Sequence, residues 1–170
     1  VDWKRRFALG TIPFRAISHV EEADDHVRVL RNVRRHLAPD GRLVFDFFHP
    51  KLDRLAAPWG ERLEIERVEG GRTFRRYARG APDPVRQVTR IEFRWEIEDA
   101  GGGVETHQVS FNMRWFHRFE LEHLLARCGF SIEALHGDFD RSPLGAASPE
   151  MIFVCRPARN REGAAGFEGA

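Results

Sequence analysis

The chain has 170 residues, of which 42% are apolar and 31% charged, and a formal net charge of +1; that is the length of one domain with a real core. The balance excludes a global field for nucleic acid or an acidic membrane surface, and two cysteines exclude a disulfide framework. No stretch has the length of a membrane span or the plan of a leader peptide, so a cytoplasmic protein is expected, with no membrane and no nucleic acid among its partners.

Phe7 to Ile12 (FALGTI) is short, apolar and closed by Pro13, which predicts a strand. EEADDHVRVLRNVRRHL follows, with acids at its start and arginines at its end, as a helix dipole favours. Val27, Leu30, Val33 and Leu37 recur at helical spacing, with Val29 widening the stripe. Pro39-Asp40-Gly41 is expected to stop the helix in a tight turn. RLVFDFF, a near-continuous apolar run of strand length, then reads as a parallel strand covered on both faces. Strand, helix, turn, strand is the pattern of a parallel α/β sheet.

The middle of the chain changes period. In VTRIEFRWEIE, Ile91, Phe93, Trp95 and Ile97 alternate with Arg90, Glu92, Arg94 and Glu96, a strand with one wet face. Asp99 and three glycines turn the chain, and VETHQVSFNMRWF alternates again, which predicts a long antiparallel hairpin. RLEIERVE, Gly70-Gly71 and RTFRRYAR give a second hairpin, with Ala81-Pro82-Asp83-Pro84 as the link between the two. Interleaved glutamates make the arginines of both a solvated face rather than a nucleic-acid surface. Phe119, Leu121, Leu124, Leu125 and Cys128 form a last helix stripe, stopped by Gly129. FSIEALHGDFD and EMIFVCRP are the closing strands, and a disordered tail is expected over 158–170. Cys128 and Cys155 read as small buried apolar residues.

Four pieces in order, IPFRAISHV, LRNVRRHLAPDGRLVFDFFHP, RWFHRFELEHLLARCGF and GDFDRSPLGAASPEMIFVCRP, resemble the C-terminal half of a class I S-adenosylmethionine-dependent methyltransferase. The most recognisable is a helix ending in L-x-P-x-G before a strand with an internal Asp, here Asp46. The resemblance implies an α/β fold: a partial Rossmann-like methyltransferase domain over 1–157, its sheet in the order 4-5-7-6, with an antiparallel β-hairpin region inserted at 61–116. Phe7 to Ile12 would be the fourth strand. The neighbouring half, with the Gly-rich cofactor loop, has no counterpart in the sequence, and Gly101-Gly102-Gly103 reads as a hairpin turn instead. The first residue is Val, so a fragment, a truncated homologue or a start at a non-ATG codon is expected. An unpaired Phe7–Ile12 edge is then expected to drive self-association.

The resemblance also implies S-adenosylmethionine as cofactor and a small-molecule acceptor. Ile12, Pro13, Phe14 and Arg15, at the C-terminal end of the fourth strand, would contact the cofactor. His19 is the candidate base. Phe48, His49, Arg114 and Trp115 would wall the acceptor. Asp46, inside an apolar strand, reads as a structural hydrogen-bonding group, and Asp138 and Asp140 as turn-fixing residues. The eight histidines show no metal-ligand spacing, so no metal is expected. The leading expectation is a methyltransferase whose activity belongs to the complete fold and not to this chain alone. The alternative is a non-catalytic interaction module of the same fold.

Overall fold

The computed structural model describes residues 3–158. In chain order it contains β1 (Phe7–Ile12), a 3-10 turn (Ala16–His19), α1 (Ala23–His36), β2 (Leu37–Phe48), α2 (Leu52–Leu55), β3 (Trp59–Glu69), β4 (Arg72–Asp83), β5 (Val88–Glu98), β6 (Val104–Arg114), α3 (Arg118–Arg127), β7 (Phe130–His136) and β8 (Glu150–Pro157). The strands form two sheets, β1-β2-β8-β7 and β3-β4-β5-β6. In the first, β1 runs parallel to β2, whereas β8 runs antiparallel to both β2 and β7. This is the expected 4-5-7-6 order.

Alternation along paired strands gives the first sheet two different faces. Leu43, Phe45 and Phe47 pair with Cys155, Phe153 and Met151, and with Leu30, Leu121, Leu125, Cys128 and Phe130 they form the core under α1 and α3. Phe45 and Phe153 stack with ring centroids 5.3 Å apart. Burial pushes the Cys155 thiol up to about 12, which keeps it an inert apolar filler. The opposite face carries Asp46 and Glu150, which the pairing Asp46–Ile152 and Phe48–Glu150 places side by side.

The second sheet is a single meander. Gly70 and Gly71, both at positive φ, make the β3–β4 turn. At the β5–β6 turn Asp99 Oδ1 accepts the N–H groups of Gly101 (2.8 Å) and Gly103 (2.9 Å). One face is apolar, with Trp59, Phe93, Ile91, Phe111 and Met113; the other is ionic. On the ionic side Arg75 lies 2.8 Å from Glu66 and 2.7 Å from Glu98, and Arg94 lies 2.8 Å from Glu61, which is the solvated face expected.

Four expectations need correction. Ala81 to Pro84 is not a link between hairpins: β4 continues through Asp83 and pairs with β5 along its length. Pro82 is tolerated because β3 reaches only to the Trp59–Gly80 pair, so β4 has no neighbour on that side there. The turn falls at residues 84–87, where Asp83 Oδ1 accepts the N–H groups of Val85 and Arg86, each at 3.0 Å. Pro39-Asp40-Gly41 is a bulge at the start of β2 rather than a separate turn, since Phe7 pairs with Leu37 but Leu9 with Arg42. Phe119 leaves the α3 stripe and is 65% exposed, because Leu121 and Leu125 define the buried face and position 119 points away from them. Finally, β2 is covered on both faces only in part: on its second face Asp46 is buried, Val44 and Phe48 are half-buried and Arg42 is exposed, while Leu9 of β1 is 57% exposed. Ala158 donates its N–H to Gly129 O at 2.8 Å; the rest of the expected tail lies outside the described residues.

Candidate functional site

Pro13 ends β1, and the next two residues, Phe14 (φ 57°) and Arg15 (φ 56°), both adopt the left-handed conformation. Two successive non-glycine residues in that region are costly and persist only when their surroundings hold them. Asp46 does so: its Oδ2 accepts the Arg15 N–H at 3.0 Å. Arg15 Nε donates to Glu150 Oε2 at 3.1 Å, and Nη2 makes a second contact to Oε1. Glu150 is only 5% exposed. Burial pushes the Asp46 carboxyl above its usual range, against the pull of the Arg15 and Phe14 backbone and the Arg15 charge. The hydrogen bond that Arg15 donates to Glu150 holds its guanidinium still more firmly protonated. Asp46 is therefore structural, as expected, and fixes the loop that carries Arg15.

Beside this loop, a cavity of about 350 Å³ opens between the two sheets, a size suited to a small molecule. Arg15, Phe48 and His49 line it from the first sheet, and Trp59, Ile91, Phe93 and Met113 from the apolar face of the second. Arg62 stands 4.2 Å over the Trp59 ring, and Arg76, itself part of the lining, 4.5 Å over Phe93, so a cation packs against each aromatic wall. A Cβ at Gly80 would run into the Trp59 indole; glycine is what lets that ring lie flat on β4. His49 Nδ1 lies 3.1 Å from Ser148 O. The carbonyl can only accept, so Nδ1 carries a proton, and in the neutral ring Nε2 is the nitrogen with the lone pair.

The structure brings Arg15, Phe48 and His49 together and separates the other expected site residues from them. Ile12 packs against the core, Pro13 is exposed, and Phe14 is 89% exposed at the end of β1. His19 is exposed and does not line the cavity; its ring packs on Phe111 at 5.4 Å and borders a shallow cleft with Glu21, Asp25 and Arg28. Arg114 and Trp115 do not line it either. Arg114 donates to Glu21 O and lies over Phe116, while Trp115 is buried with its indole 5.6 Å from His117. Glu21 also accepts from Asn112 (3.0 Å) and Arg86 (3.2 Å), which ties the second sheet to the start of α1. His117 donates its N–H to Glu120 at 2.7 Å, so α3 starts well despite lacking Ser or Thr there.

Sequence reasoning missed Glu150, Trp59, Lys51 and Arg54. Glu150 had a signal, a single acid opening the apolar run MIFVC. Trp59 had none, because only strand pairing brings it over Gly80.

No family model matches the chain, and no curated protein matches it in sequence. Solved structures do match. The CcbJ methyltransferase from Streptomyces caelestis is 21% identical, with a TM-score of 0.77 over 94% of this chain and 61% of its own. CalS10 from Micromonospora echinaspora, described as an amino pentose methyltransferase and solved with S-adenosylmethionine, is 23% identical, with a TM-score of 0.73 over 93% of this chain and 61% of its own. The sugar N-methyltransferase KedS8 from Streptoalloteichus is 22% identical, with a TM-score of 0.69 over 94% and 59%. At these identities the likeness shows the fold. The chain spans about three fifths of the length of these structures, and over that span it has the fold of an S-adenosylmethionine-dependent methyltransferase.

Proposed function

We propose that the protein takes part in methyl transfer from S-adenosylmethionine to a small molecule held between the two sheets. The observation that carries this reading is the cavity at the C-terminal ends of β1 and β2, where an open α/β sheet receives ligands, roofed by the apolar face of the second sheet. The cofactor supplies a methyl group already activated on a sulfonium. The protein's own work is then to align the acceptor and exclude water.

The described residues fit one edge of a donor site. Ile12, Pro13, Phe14 and Arg15 would hold it, and the exposed Phe14, on a backbone fixed by Asp46, is the observation that supports the fit. Phe48, Trp59 and Phe93 would orient the acceptor. An acceptor arriving protonated needs a base, and His49 is favoured over His19 because it lines the cavity with Nε2 free to accept. Two of the neighbours are described as acting on an amino pentose and as a sugar N-methyltransferase, which supports a small amine as acceptor.

Turnover is assigned to the complete fold, because among the described residues the donor meets only the Ile12–Arg15 edge. The test incubates the full product of the gene with methyl-labelled S-adenosylmethionine and a panel of small amines and alcohols. Label transferred to a member of the panel is the expected result. A protein that binds the donor but labels nothing would favour the interaction module instead.

A further inference from the structure

Four cations line the cavity: Arg15, Lys51, Arg54 and Arg76. Two are already neutralised. Arg15 is held by Glu150, and Arg76 lies 3.2 Å from Glu64, itself part of the lining. Lys51 and Arg54 have no ion-pair partner among the described residues. They stand at the start and on the single turn of α2, three residues apart and so on one face of it. Leu55, on the same face, is buried and lines the cavity with them, whereas Asp53 is exposed and is not part of the lining. The same cavity is lined by an apolar wall of Trp59, Ile91, Phe93 and Met113. The site thus pairs an aromatic platform with two exposed, uncompensated positive charges.

We infer that the molecule this cavity accepts carries an anionic group, a phosphate or a carboxylate, clamped by Lys51 and Arg54 while its apolar or ring portion lies against Trp59 and Phe93. The inference rests on the reading of the cavity as an acceptor site. It adds the charge of the acceptor, which neither the fold nor the neighbours supply. Two cations converging on one anion, beside low-dielectric walls, discriminate against a neutral analogue of the same shape.

The experiment titrates the 170-residue chain calorimetrically with phenyl phosphate, benzoate and benzyl alcohol, and locates each probe from amide and indole NMR shifts. The expected result is that one or both anions bind at least ~10-fold more tightly than benzyl alcohol, with shifts at Trp59, Ile91 and Phe93. The ratio of the two anions distinguishes phosphate from carboxylate. Raising the salt from 50 to 500 mM should narrow the gap. The Lys51→Gln/Arg54→Gln protein should lose the preference and keep its affinity for benzyl alcohol. Both side chains are exposed, so the variant's folding is checked by its unchanged core methyl spectrum, and Arg54→Gln alone should give an intermediate preference. Equal affinity for all three probes, or a preference that survives the double substitution, overturns the anionic clamp and leaves the acceptor cavity standing. No shift at the cavity with any probe overturns both.

Discussion

At the residue scale, Glu150, Arg15 and Asp46 decide whether the end of β1 keeps its shape. Replacing Glu150 by Gln breaks the ion pair and leaves Arg15 with a weaker acceptor. Removing one partner of a fully buried pair costs about 3–5 kcal/mol, but the Arg15 side chain is 41% exposed, so water recovers part of it. A loss of about 1–2 kcal/mol in urea unfolding is expected. Asp46 and His26 give opposite pH signatures. Burial raises the folded-state pKa of Asp46, so the folded chain holds that proton more tightly than the unfolded one. Its contribution to stability therefore falls as pH rises from the ordinary carboxylate value through the raised one. Subtracting the Asp46→Asn curve from that of wild type should show this negative slope. Burial lowers the pKa of His26, which is fully enclosed and meets Phe116 edge-on with ring centroids 5.0 Å apart. Its contribution is complete above the unfolded value of about 6.5 and is lost as pH falls. His26→Gln should flatten stability between pH 7 and 5; an unchanged slope would show that His26 titrates alike in both states.

At the element scale, Gly80 couples the second sheet to the cavity. Gly80→Val should displace the Trp59 ring and shrink the cavity at a cost of about 1–3 kcal/mol, read as a lower midpoint with an unchanged denaturant slope. Glu21 does the same work from the other side by gathering Asn112, Arg86 and Arg114 onto the start of α1. Glu21→Ala should loosen the sheet and raise hydrogen exchange in β6 before β2. The local patterns of these elements were legible in the sequence. Period two marked β5 and β6, the 3.6-residue stripe marked α1, and Gly129 marked the end of α3. The docking was not legible, because it depends on pairs far apart in the chain, such as Trp59 with Gly80 and Arg15 with Glu150. His49 and Phe48 were readable as wall residues from their place at a strand end. Arg114 was misplaced because an arginine at a strand end can face either a ligand or a carbonyl, and the Glu21 carbonyl won.

At the scale of the whole molecule, two surfaces follow from the topology. β1 pairs with β2 on one side only among the described residues, and an apolar strand edge is a template for another chain. The 170-residue chain is expected to self-associate through it, and Leu9→Lys should return it toward a monomer in light scattering; a monomer at tens of micromolar without the substitution would contradict this. The cavity is the other surface, proposed above as the place where the acceptor is methylated. The measurement that tests this most directly compares the full gene product with its Gly80→Val variant, following the transfer of labelled methyl from S-adenosylmethionine to the best acceptor found. Donor affinity is expected to be unchanged, with a fall of at least ~10-fold in kcat/KM for the acceptor, about 1.4 kcal/mol of lost acceptor stabilisation. Equal kcat/KM in the two proteins, with Trp59 shown to be displaced, would contradict that proposal.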